Sequence, residues 1–75
     1  MDLTQVDFGK EYVIKKITAI EPLKSRLFSF GFARGNKVTV TEYTLTKQTY
    51  ETKVEDSRVA LRAEEAKNIE VEERE

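Results

Sequence analysis

Seventy-five residues are enough for one domain spanning 1–75 and too few for two, so the core must be small and economically built. With no cysteine and no histidine, the chain excludes disulfides, thiolate metal sites and every nucleophile that relies on an imidazole base. Thirteen Lys and Arg against fourteen Asp and Glu leave a net charge of −1, too little for the strong positive field of a nucleic-acid surface.

In chain order, residues 1–8 hold Leu3, Val6 and Phe8 ahead of Gly9, a short helical or irregular lead-in whose apolar residues are expected to cap the core. Residues 10–20 carry Tyr12, Val13, Ile14, Ile17 and Ile20 and predict a first strand. Its register stays open. Ile14 and Ile20 share the parity of Tyr12, and Val13 and Ile17 fall on the other face unless a bulge intervenes.

Pro22 suits the first position of a helix, where its fixed φ is already helical and its missing N–H is not needed. A helix over 22–30 follows, with Leu23, Leu27 and Phe30 on one face, Lys24, Ser25 and Ser29 toward solvent, and Gly31 as its left-handed stop. Gly35–Asn36 then turns the chain into a Thr-rich second strand over 36–45. The turn over 46–48 lacks Gly, Pro and Asn, which predicts a loose or projecting hairpin over 45–50.

Residues 49–55 show the cleanest period-2 pattern, with Tyr50, Thr52 and Val54 on one face and Glu51, Lys53 and Glu55 on the other. Asp56–Ser57 is a turn, 58–62 a fourth strand and 63–67 a helical turn with its acids placed early, as the helix dipole prefers. Ile69 and Val71 make a last short strand, and 70–75 reads as an acidic tail, partly frayed. The chain is mainly β, and this order predicts an SH3-like small five-stranded barrel with a short helix after the first strand and a helical turn before the last.

Charge is unevenly spread. Residues 10–37 hold Lys10, Lys15, Lys16, Lys24, Arg26, Arg34 and Lys37 against Glu11 and Glu21, whereas residues 55–75 hold eight acids against four bases. A basic face meeting an acidic patch or a membrane-adjacent partner is the functional reading; ordinary solvated surface is the plain one. Phe28, Phe30 and Phe32 cannot share one helix face, because successive pairs lie about 200° apart. Phe30 is expected inside with Leu23 and Leu27, and Phe28 and Phe32 either pack or form an apolar contact flanked by Lys24, Arg26 and Arg34. Adjacent acids such as Glu64–Glu65 or Glu72–Glu73 offer oxygen ligands to a hard cation, and such pairs are more often solvated charge than a site.

The pattern Arg26-Leu27-x-x-Phe30-Gly31-Phe32-x-x-Gly35-x-x-Val38-x-Val40 resembles the signature of the FeoA family of small ferrous iron transport proteins. Gly9 and Ile14-x-x-Ile17 upstream, and Val59–Arg62, Glu65–Ala66 and Ile69-x-Val71 downstream, extend the likeness over most of the chain. Arg34 stands where the family has proline, and the hairpin over 45–50 lacks its Gly-x-Pro. The resemblance implies a cytoplasmic bacterial accessory or regulatory protein, without enzyme activity or cofactor, that binds the cytoplasmic region of the FeoB ferrous iron transporter. The membrane is met only through that partner, nucleic acid is not involved, and exposed edge strands allow a weak homo-oligomer. Lys24, Arg26, Leu27, Phe28, Phe32 and Arg34 are the expected partner-binding residues. The alternative is a direct ferrous iron carrier or sensor that uses surface carboxylates.

Overall fold

Tyr12 and Ile14, Val38 and Val40, Tyr50, Thr52 and Val54 each alternate with outward-facing neighbours, and all of them are buried. That alternation makes one face of a strongly bent sheet the core. In the computed structural model, which describes residues 1–46 and 48–74, the order is β1 (Glu11–Ile17), α1 (Leu23–Phe30), β2 (Lys37–Tyr43), β3 (Thr49–Val54), β4 (Ser57–Arg62), α2 (Ala63–Ala66) and β5 (Ile69–Glu73). The sheet runs β4-β3-β2-β1-β5, with every neighbouring pair antiparallel. The last strand thus returns beside the first, and the fold is the mainly β, five-stranded, SH3-like one predicted. Leu27, Phe32, Leu61 and Ala66 complete the interior, with Leu3 over one end of it.

Two bulges decide which side chains reach that interior. In β1, Ile14 faces Val71 and Lys16 faces Glu70, so Lys15 is the extra residue. The bulge flips the parity beyond it. Ile17 pairs with Ile69 and packs against the core, on the same side as Tyr12 and Ile14. Ile20 lies past the strand end and is 83% exposed, contrary to the parity that grouped it with Ile14. In β2, Thr41 is the extra residue between Val40 and Glu42. Tyr43 therefore pairs with Tyr50, and the two rings lie 6.0 Å apart.

Helix α1 starts at Leu23, with Pro22 as its N-cap instead of its first residue, and the Glu21–Pro22 peptide bond is cis. The Glu21 carboxylate accepts from the Ser25 N–H at 2.9 Å and from the Ser25 hydroxyl at 2.8 Å. At the other end Gly31 adopts φ 105°. Its N–H donates to the Phe28 carbonyl, and the Phe32 N–H donates to the Leu27 carbonyl. This two-bond cap turns the chain so that Leu27 and Phe32 both point inward. Loop 32–36 is then tied to β1, with the Gly35 N–H donating to Ile14 O and the Ile14 N–H to Asn36 O.

Elsewhere the expectations need two corrections. Phe8 does not cap the core; it is 61% exposed and stands edge-on to Tyr43, ring centres 5.9 Å apart, while Leu3 and Val6 do pack inward. Residues 70–73 are no frayed tail, because β5 continues to Glu73 along β1 and both Glu73 and Arg74 are ion-paired; Glu75 lies outside the described residues. In the expected turn over 46–48, Lys47 also lies outside them. The Thr44 hydroxyl accepts there from the Gln48 and Thr49 N–H groups at 3.0 and 3.3 Å, as an Asn side chain can in a turn.

Candidate functional site

The β1 bulge and the outer face of α1 lie side by side, and the hollow between them concentrates positive charge over an apolar floor. Lys15, Lys16 and Ile17 come from β1, Lys24 and Phe28 from α1, and Arg34 from the loop after the Gly31 turn; together they line a groove of about 430 Å³. Each wall has a local cause. Strand alternation would bury one of two adjacent lysines at great cost, and the bulge lets both stay exposed. Lys24 and Phe28 are spaced i, i+4, so they stack along one side of the helix. The Lys24 Nζ stands 6.0 Å from the centre of the Phe28 ring, a geometry in which cation and aromatic face attract.

The Lys24 N–H donates to the Ile20 carbonyl, which ties the start of the helix to the segment after β1. Phe28 is 45% exposed.

Among the described residues, Lys15, Lys16, Lys24 and Arg34 have no ion-pair partner. Glu70 faces Lys16 across the β1–β5 ladder without pairing with it. Four other cations among the described residues are compensated: Lys10 by Glu73, Arg26 by Glu65 at 3.3 Å, Arg62 by Glu64 at 3.9 Å, and Arg74 by Glu11. The hydrogen bond from Lys10 holds the Glu73 carboxyl below the ordinary value and raises the Lys10 ammonium above its own. At the mouth of α1, the Ser25 hydroxyl and N–H lower the Glu21 pKa, so this carboxylate is committed to the helix start.

The structure divides the expected partner-binding residues. Lys24, Phe28 and Arg34 come together at the groove. Leu27 and Phe32 do not belong to a surface at all, being wholly buried by the Gly31 cap. Arg26 turns the other way: it lies over the Phe30 ring at 5.8 Å and bridges α1 to α2 through Glu65, whose side chain is only 13% exposed. Glu65 also accepts from the Arg62 N–H at 3.0 Å, so the Arg26 contact braces α2. Lys15 and Lys16 are missing from the sequence-based set. Two lysines in mid-strand were the available signal, because unpaired lysine is rarely buried.

A second hollow, about 520 Å³, lies between Gln48–Thr49 and Arg62–Glu64, but it contains its own ion pair and no large apolar residue. Among the described residues, no three Asp or Glu side chains converge as a metal-ion cage. Among the described residues, no helix is long and apolar enough to cross a membrane.

The model of the FeoA domain family matches residues 1–73. A Campylobacter jejuni protein named, provisionally, Fe(2+) transport protein A is 35% identical over 71 residues, covering 95% of this chain and 96% of that one. The solution structure of iron(II) transport protein A from Clostridium thermocellum superposes with a TM-score of 0.90 at 26% identity, over 96% of this chain and 44% of that one. FeoA of Stenotrophomonas maltophilia, crystallised with zinc, matches with a TM-score of 0.85 at 25% identity, over 96% and 89% of the two chains. That protein is described as a prokaryotic SH3 domain protein and a candidate activating factor for ferrous iron transport.

Proposed function

Since the chain belongs to the FeoA family of ferrous iron transport proteins, we propose that it is a cytoplasmic accessory protein that docks on the cytoplasmic region of the FeoB transporter through the β1–α1 groove, modulating iron uptake. The observation that carries this reading is the set of four unpaired cations around Ile17 and Phe28. Unneutralised like charges repel one another and add nothing to the fold, whereas a partner that covers them gains both attraction and apolar burial.

The rest of the molecule serves as a rigid mount. The two-bond Gly31 cap, the backbone bonds that join Ile14 to Gly35 and Asn36, and the β1 bulge fix the three contributing segments against one core. Nothing in such a surface performs bond chemistry; what it supplies is recognition and, through it, an effect on the transporter.

The test is binding of the purified full chain to the transporter's isolated cytoplasmic region, with and without a GTP analogue. The Lys24→Glu/Arg34→Glu double variant is expected to bind at least about tenfold more weakly with an unchanged melting temperature. Reversal of Lys53 and Arg58, on β3 and β4 away from the groove, is expected to leave binding intact. Equal loss from both pairs would mean diffuse charge attraction, and no loss from the groove pair would place docking elsewhere.

A further inference from the structure

We infer that the occupant of the β1–α1 groove is an acidic peptide segment carrying one large apolar side chain, which seats on Ile17 and Phe28 while flanking carboxylates meet Lys15, Lys16, Lys24 and Arg34. The inference rests on the docking reading above and specifies its chemistry. Cations stand on opposite walls of the groove: two lysines on the strand, Lys24 on the helix and Arg34 on the loop. Between them the floor is apolar, formed by half-buried Ile17 and by Phe28.

A ligand with charge alone would leave that floor wet, and one with apolar surface alone would strip water from four unpaired cations without replacing it. The segment that satisfies both alternates acids with an apolar anchor, the arrangement in which a buried anchor supplies affinity and surrounding charges supply orientation and rate.

Arrangement favours a peptide over a lipid surface. The cations stand around Ile17 and Phe28 at a shallow hollow of about 430 Å³, where one apolar side chain can seat with carboxylates on either side of it. Basic-strand and basic-helix walls also exclude a second copy of this groove, since two such faces would repel. Arg34 offers planar two-pronged hydrogen bonding to a carboxylate, and the lysines act as point charges at either side.

Fluorescence anisotropy of the full chain with three short labelled peptides tests this. One has glutamates around a central Phe-Leu pair, one has the same glutamates around Ser-Ser, and one has lysines around Phe-Leu. The first is expected to bind at least about tenfold more tightly than either of the others, and to lose that advantage in Phe28→Ala and in Lys24→Glu/Arg34→Glu. Its affinity should also fall as salt is raised. Equal binding of the two glutamate peptides overturns the apolar anchor, and equal binding of the two Phe-Leu peptides overturns the acidic requirement. Preference for phosphatidylglycerol vesicles over all three assigns the face to lipid instead. If no peptide binds while the transporter region still docks through Lys24 and Arg34, the peptide chemistry is wrong and the docking reading stands. If the peptide binds and the transporter region does not, the reverse holds.

Discussion

At the β1–β5 edge, Lys10 holds Glu73 and Arg74 holds Glu11; farther along β1, at the β1–α1 groove, Lys15, Lys16, Lys24 and Arg34 have no ion-pair partner among the described residues. Both regions are exposed and both use β1, so solvent access does not explain the contrast. Register does. Antiparallel pairing of Tyr12 with Glu73 brings the ends of β1 and β5 into ion-pair range, whereas the bulge at Lys15 turns two lysines toward the helix, whose neighbouring face is basic too. Charges that the fold pairs belong to its architecture, and charges that it leaves together are available to a partner.

The comparison is broken most severely from beneath. Leu27, on the inner face of α1, is fully buried, and Leu27→Ala is expected to cost about 2–5 kcal/mol through lost burial and a residual cavity. Urea unfolding monitored by circular dichroism measures it. Such a variant loses docking because it loses the fold, so it says nothing about the groove; a loss of binding with stability intact would be needed to return Leu27 to the contact surface.

A smaller effect separates Arg26 from its unpaired neighbours on the same helix. Arg26→Ala should destabilise by about 0.5–1 kcal/mol, by freeing Glu65 and loosening the brace on α2, and should leave docking nearly unchanged. Denaturant midpoints together with the transporter binding assay check both halves. In contrast, Lys15→Glu/Lys24→Glu should leave stability within about 0.5 kcal/mol of the parent, with relief of repulsion offsetting any lost contact. A large drop in melting temperature would show those lysines to be structural.

The slightest effect is a pH dependence at the paired edge. Glu73 has a lowered pKa in the folded chain, so the stability it contributes is present above its ordinary value of 4.5 and is lost as pH falls through the folded value. Lys10 has a raised one, so its contribution is complete below 10.5 and is lost as pH rises through the folded value. A thermal-melt series should therefore show the Lys10→Met/Glu73→Gln variant differing from the parent only between those limits, and less so at high salt. A difference that persists below the pH at which Glu73 is protonated in the folded chain would mean that packing, not charge, joins β1 to β5.

Much of the molecule was legible in the chain itself. β-branched and aromatic runs mark the five strands, i, i+4 spacing marks α1, glycine ends it, and the period-2 pattern over Tyr50, Thr52 and Val54 picks out the buried face of β3. These features are local, because propensity and alternation act over a few residues. The family signature is legible for the same reason: it consists of turn glycines and core positions at fixed offsets.

Tertiary pairing alone decided the rest. An extra residue in β1 sends Ile17 in, leaves Ile20 out and keeps Lys15 and Lys16 both at the surface, and no local pattern announces a register shift that depends on the facing strand. The Gly31 cap rotates Phe32 into the core and leaves Phe28 half exposed, so three phenylalanines that look equivalent in the chain have separate roles. Whether a surface cation is paired depends on acids up to sixty-three positions away, as for Lys10 with Glu73. The site is where unpaired cations gather around Ile17 and Phe28, and only the folded chain brings them together.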